Sequence, residues 1–206
     1  MERKDNYMIQ MQQAKKRFLT YDQQELIARC KLENDENYLY FSFLSEPCRI
    51  SRLSGDMEQL SDGKWIDANN FNQVMTALDW LCDSAPHRFL TGRWVNIVSQ
   101  SHSIHRNLQE GESAMARQIQ ENPQAFISAC QALGGEPLPG ADIGYAVELV
   151  DGLKIFLKFW YEDEDFPPRL LAMWDENVLQ YIRYETTWYA AGLMTARIKE
   201  KMEEKQ

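Results

Sequence analysis

Apolar side chains recur along this chain in two periods, and each change of period marks an element. Over residues 5–20, Met8, Met11, Ala14, Phe18 and Leu19 fall at helical spacing among Gln and Lys. Asp22 followed by Glu25 has the form of a capping box and opens a second helix through Leu26, Ile27 and Cys30. YLYFSFL, Tyr38 to Leu44, has the aromatic content of a strand. After the interruption at Pro47, CRISRL predicts a partner strand with Cys48, Ile50 and Arg52 on one face. Ser54-Gly55-Asp56 and Ser61-Asp62-Gly63 read as turns. Asp67 then caps a helix with Phe71, Val74, Met75, Leu78, Leu81 and Cys82 on one side, ending before Pro86. A short strand is expected around Trp94 to Val98. A helix over 111–132 runs through Met115, Ile119, Phe126, Ile127 and Cys130, with a fresh start at Asn122-Pro123 and a stop at Gly134-Gly135.

The most informative stretch is IGYAVELVDGLKIFLKFW, where Asp151-Gly152 marks a hairpin. A two-residue turn would pair Val150 with Leu153 and set Glu148 opposite Ile155. A three-residue loop of Val150, Asp151 and Gly152 instead pairs Leu149 with Leu153, Val147 with Ile155, Tyr145 with Leu157 and Ile143 with Phe159. It also sets Glu148 against Lys154 on the other face. A slip of one residue would turn Lys154 and Lys158 into the core, so the three-residue loop is the expected one. RLLAMW, Arg169 to Trp174, reads as a third strand, VLQYIRY as irregular, and the last helix as running from Thr186 or Thr187 to about Lys201. These elements predict an α+β fold: an antiparallel sheet with a C-terminal hairpin, packed by several helices. One domain over 1–206 is expected, with a helical segment at 1–35, strands and two helices over 36–133, and the hairpin, acidic loop, third strand and last helix over 134–206.

Charge narrows the partners. The 206 residues carry 22 Lys and Arg against 31 Asp and Glu, a net charge of −9, with no basic cluster. A field of that sign repels phosphate backbones and anionic lipid, so neither nucleic acid nor membrane is expected as a partner. Cys30, Cys48, Cys82 and Cys130 are widely spaced, form no C-x-x-C pair, and suit buried thiols. No apolar run reaches the roughly 20 residues of a membrane span, and MERKDNYMIQ has no apolar signal core. The expectation is a cytoplasmic protein with no cofactor.

Candidate chemistry gathers at WYEDEDFPP. Continued past Phe159, strand alternation places Asp163 and Asp165 inward and Glu162 and Glu164 outward. A buried carboxylate needs a cation or donors, and Arg88, Arg93, Arg169 and Arg183 could supply one. The competing reading is a solvated charge cluster that guards a very apolar strand against aggregation, with Pro167-Pro168 holding the return path extended. No EF-hand spacing, P-loop, dinucleotide fingerprint, G-x-S-x-G or H-E-x-x-H occurs. His102 and His105 are three apart in a stretch of loop-like composition.

FWYEDEDFPPRLLAMWDENVLQYI resembles the pattern of an uncharacterised domain-of-unknown-function family of anaerobic bacteria and archaea. Trp160, Glu164, Asp165, Phe166, Pro167 and Asp175 stand at the matching positions. LTGRWV, Leu90 to Val95, is similar to that family's short segment after a helix, and ALGGEPLPGADIGYAVEL to its Gly-Gly to Gly-Tyr connection. Some members carry an attached iron–sulfur domain. The resemblance implies an accessory role in anaerobic metabolism, while the cysteines here lack cluster-binding spacing.

The favoured function is a non-enzymatic ligand-binding or accessory protein for a small molecule or a protein partner. Its expected site combines Trp94, Trp160, Asp163, Asp165, Phe166, Arg169, Trp174 and Asp175, and no metal is assigned to it. An enzyme using Asp163 or Asp165 as general base or metal ligand, with His102 or His105, is the alternative. A structural protein that oligomerises is the third reading.

Overall fold

The structure, a computed structural model, describes residues 2–97 and 106–204. Among the described residues, strands form two antiparallel five-stranded sheets, ordered β1-β2-β3-β4-β5 and β6-β10-β9-β8-β7, and six helices accompany them. The fold is α+β, as the change of period along the chain predicts. The chain divides into two compact units: 1–89 with 179–190, and 90–178 with 191–206. The boundary between them falls at Phe89 and Leu90, within the segment of strands and two helices over 36–133.

In the first unit, α1 (Glu2–Leu19) and α2 (Gln23–Cys30) precede the sheet of β1 (Glu33–Asn34), β2 (Tyr38–Phe43), β3 (Glu46–Ser51), β4 (Met57–Ser61) and β5 (Lys64–Asp67). Asp22 caps α2 by accepting the Gln24 N–H at 2.9 Å. Pro47 does not interrupt the strand but lies within it, as the second residue of β3, opposite Ser42. The β4–β5 hairpin turns at Asp62 and Gly63, both left-handed (φ 49° and 74°). That hairpin absorbs Asp67 as a strand residue, so the cap of α3 (Phe71–Asp83) is Asn70, whose side chain accepts the Gln73 N–H at 2.9 Å. Leu39, Phe43, Cys48, Ile50 and Met57 are buried in this unit. Phe41 meets Trp80 of α3 at 5.5 Å between ring centroids.

A charged network ties α1, α3 and the segment before the last helix. Asp79, 3% exposed, accepts from Arg17 at 2.7 Å and from the Thr186 hydroxyl. Arg17 and Arg183 also reach Asp83, at 2.9 and 2.8 Å. Lys15, itself buried, donates to Asp56 at 2.6 Å and to the Asn69 side-chain oxygen at 2.7 Å.

In the second unit, β6 (Trp94–Val95), α4 (Arg106–Glu121), α5 (Pro123–Ala132), β7 (Glu136–Pro137), β8 (Ile143–Val150), β9 (Leu153–Trp160) and β10 (Arg169–Asp175) follow in order. Asn122 caps α5 with Pro123 in its first turn, which is the fresh start the Asn-Pro pair predicts. The last helix, α6 (Tyr184–Glu203), follows a 3-10 turn over Val178–Gln180. It begins two residues before Thr186, since Tyr184 and Glu185 already lie in the helix.

The hairpin needs one correction. From Ile143↔Phe159 to Glu148↔Lys154 the register is the predicted one, but Val150, not Leu149, faces Leu153. A bulge between Glu148 and Val150 supplies the extra residue, so the turn is two residues long. Asp151 and Gly152 are both left-handed (φ 54° and 77°), the geometry of a type I′ turn. Leu149 and Val150, on either side of the irregular step, are both buried. The expected Glu148–Lys154 contact is also redistributed. Lys154 pairs with Glu136 at 2.7 Å, and Glu148 accepts the Gly152 N–H at 3.0 Å.

All four cysteines are buried and none forms a disulfide, and burial pushes the Cys82 thiol up to about 12. No described helix is long and apolar enough to cross a membrane.

Two carboxylates of the first unit respond to pH in opposite senses. Burial pushes the Asp79 carboxyl above the ordinary value, against the pull of Thr186, Arg183 and Arg17. The folded chain therefore holds that proton to higher pH than the unfolded chain, and the contribution of Asp79 to stability falls as pH rises through the raised value. Asp56 is held low, first by Lys15 and then by Ser54. Its contribution is complete above the ordinary carboxylate value and is lost as pH falls through the lowered one. Urea midpoints measured between about pH 3 and 7 will show Asp79→Asn reducing the loss of stability on raising pH, and Asp56→Asn reducing the loss on acidification. Identical pH profiles in wild type and both variants would contradict these assignments.

Candidate functional site

Period-two alternation divides the second sheet into two faces. One carries Ile143, Tyr145, Val147, Ile155, Leu157, Phe159, Leu170 and Trp174, all buried. Helix α5 covers it, with Gln131 donating to the Tyr145 hydroxyl at 3.3 Å. The other face carries Ala146, Lys154, Phe156, Lys158, Trp160, Arg169, Leu171, Met173 and Asp175, with Trp94 alongside Asp175. Trp94, Lys158, Trp160, Leu171 and Met173 stay only half-buried there, and Arg169 is exposed.

The predicted site residues separate accordingly. Trp94, Trp160 and Arg169 share the half-open face. Trp174 points to the opposite one and is 2% exposed, so it belongs to the core. The Trp94 ring lies 5.2 Å from that of Phe156. Trp160 carries one cation from its own strand and one from the neighbouring strand: the Lys158 ammonium 5.1 Å from its ring centroid and the Arg169 guanidinium carbon at 5.9 Å. Lys158 is also 5.5 Å from the Phe156 ring.

Two glycines shape the surroundings of Lys158. Gly144 sits across the strand pair from it. A Cβ on Gly144 would fall 2.4 Å from the Leu138 carbonyl oxygen and 3.0 Å from the Phe156 ring, so only glycine lets the segment before β8 pass this closely. Gly140, left-handed at φ +105°, has the Lys158 ammonium 3.4 Å from where its Cβ would be.

Asp175 is a structural anchor. It is 4% exposed and accepts the Thr91 N–H at 3.0 Å, the Gly92 N–H at 2.8 Å, the Asn177 N–H at 2.9 Å and the Thr91 hydroxyl at 3.3 Å. These bonds hold the LTGRW segment against the end of β10 and place Trp94 beside it, so the resemblance of both segments to one family pattern has a common physical basis.

The acidic loop departs from the expected inward lean of Asp163 and Asp165. Strand β9 ends at Trp160, and every residue from Tyr161 to Pro167 is exposed. Asp163 closes a turn on itself: its Oδ1 accepts the Asp165 and Phe166 N–H groups at 2.9 and 2.8 Å, and its own N–H donates to the Phe166 carbonyl at 3.0 Å. Alternation cannot be extended past the last ladder hydrogen bond, and an aspartate two or three residues before free N–H groups prefers to satisfy them itself. Phe166, 69% exposed, stands at this turn. His102 and His105 lie outside the described residues. Among the described residues no group of three or more His, Cys, Asp or Glu is placed to hold a metal.

Lys158 was legible as a surface residue but not as part of a site. The signal was its two-residue spacing from Trp160 within LKFW. A second cluster, Tyr38, Tyr40, Arg49 and Trp65, went unread because β4 and β5 were not assigned as strands.

The fold and these faces describe an α+β protein with a half-open aromatic and cationic sheet face. The family model for a domain of unknown function, DUF3786, matches residues 22–197, and the chain belongs to that family. No curated protein and no solved structure matches.

Removing the anchor carboxylate by Asp175→Ala leaves several backbone donors without their acceptor and will cost about 1–3 kcal/mol in urea unfolding. Asp163→Ala, in a solvated turn, will cost less than about 1 kcal/mol. Equal losses from the two substitutions would contradict the distinction drawn between them.

Proposed function

We propose that the protein is a non-enzymatic binding protein, and that its site is the half-open face around Trp160, taking an anionic ligand with a planar apolar part. One observation carries this reading. Lys158 and Arg169 both lie against the Trp160 ring, and neither has a carboxylate partner among the described residues. Acids outnumber bases by 31 to 22, and other cations of this unit do find acids: Lys154 pairs with Glu136, and Arg93 with Glu176 at 3.3 Å. Two cations left without acids, beside half-buried aromatic surface, form a complement to negative charge and a flat ring. The ring of such a ligand would stack on Trp160 or Trp94 while its anionic group meets Lys158 and Arg169.

Asp163 and Asp165 play no chemical part in this reading. Their loop is solvated, and the Asp163 carboxylate is engaged by its own turn. An accessory role is compatible with the same face, since an anionic aromatic group can belong to a free small molecule or to one carried by a partner.

The probes are benzoate, benzyl alcohol and benzylamine, titrated by tryptophan fluorescence. Benzoate will bind best, and added salt will weaken it. Lys158→Ala or Arg169→Ala will each lower benzoate affinity by roughly tenfold, the order expected for one charge-assisted contact. Binding that favours benzylamine, or that is unchanged in both variants, would overturn the proposal.

A further inference from the structure

The first sheet carries a second aromatic cluster, independent of the anion site. Tyr38 and Tyr40 stand on β2, Arg49 on β3, Glu58 on β4 and Trp65 on β5. The register sets Arg49 opposite both Tyr40 and Glu58, and Trp65 opposite Leu60, so these side chains share one face. Leu39, Cys48, Ile50, Met57 and Gln59 occupy the other face and are buried.

The geometry is that of a cation held by rings. The Arg49 guanidinium carbon is 3.9 Å from the Tyr38 ring centroid and 4.3 Å from that of Trp65. Tyr40 adds a third ring, 6.0 Å from Trp65 and 6.3 Å from Tyr38. Glu58 closes the arrangement with a 2.6 Å contact to the same guanidinium. Asp35 fixes the Tyr40 hydroxyl at 2.7 Å, and Asp67 faces Glu58 across the β4–β5 pair. Three acids thus surround three rings, and one cation fills the space they define.

We propose that Tyr38, Tyr40, Trp65 and Glu58 form a guanidinium-binding slot, filled in this structure by Arg49 and open to exchange with an arginine side chain of a partner protein. Several features select that occupant. The acids Asp35, Glu58 and Asp67 give the cluster a negative surround, complementary to a basic segment. Contacts of 3.9 and 4.3 Å to two rings suit a flat guanidinium, which stacks, better than a tetrahedral ammonium. The rings stand on one face of a five-stranded sheet, a geometry that suits a side chain delivered by another protein's surface; free small molecules are usually bound in concave sites that enclose them. Arg49 competes from the adjacent strand, where it is already paired with Glu58, so it keeps the slot shut against weak ligands.

The alternative is a cross-strand staple with no ligand. Removing the resident side chain separates the two. Arg49→Ala will be titrated with the peptides acetyl-Gly-Arg-Gly-amide and acetyl-Gly-Lys-Gly-amide and with tetramethylammonium, following the Trp65 indole N–H resonance. The arginine peptide is expected to bind the variant at least tenfold more tightly than it binds the wild-type chain. It should move the Trp65 resonance and lose its affinity in Arg49→Ala/Trp65→Ala. Should Arg49→Ala fail to fold, Arg49→Met, which keeps an unbranched stem, is read in the same way. A folded variant that binds the arginine peptide no better than the wild type would leave only the staple. Tetramethylammonium or the lysine peptide binding as tightly as the arginine peptide would overturn the choice of ligand.

Discussion

The register of the β8–β9 hairpin is the constraint on which the second unit's chemistry depends. A one-residue slip would exchange the two faces, burying Lys154 and Lys158 and exposing Ile155, Leu157 and Phe159. The two-residue turn at Asp151-Gly152 and the bulge at Leu149 together hold the observed pairing. With β9 fixed, β10 follows through Arg169↔Trp160, and β6 follows through Asp175↔Trp94. Trp94, Trp160, Lys158 and Arg169 reach one surface only because each of these steps preserves parity.

Aspartates serve three different ends in this chain, and burial decides which. Asp175 lies in the core and satisfies the donors of a returning loop. Asp79 is also buried, but its partners are Arg17, Arg183 and Thr186, which offset part of the cost of keeping a carboxylate out of water. Asp163 is exposed and organises a turn of its own backbone. An acidic run in a sequence therefore carries little meaning until the position of the last ladder hydrogen bond is known.

Much of this was legible in the residues. The α+β class, the hairpin body and the membership of Lys154 and Lys158 in a non-core face follow from alternation of large apolar side chains. The turn was not, because a bulge adds one residue without altering the alternation on either side of it. The sheet of the first unit was read only as far as β3. MEQLS and KWID alternate weakly, since their outer positions mix Glu58 and Asp67 with Leu60 and Trp65, and their inner ones carry Gln59, Ser61, Lys64 and an exposed Ile66 beside Met57. Strand geometry ends at Trp160, and Trp174 lies on the opposite face from Trp160 despite their shared proximity to the loop in sequence. Cross-strand pairing gathers Trp94, Trp160 and Arg169 on one face.

Reception of negative planar ligands on the Trp94–Trp160 face, the function proposed for this protein, is open to a direct test. Two-dimensional NMR of uniformly 15N-labelled protein resolves the indole N–H of each of the six tryptophans, and benzoate can be added while all six are followed. The Trp160 and Trp94 signals are expected to shift together and saturably, while Trp65, Trp80, Trp174 and Trp188 remain in place. Movement confined to the latter four, or to backbone amides of the turn at 162–166, would contradict it.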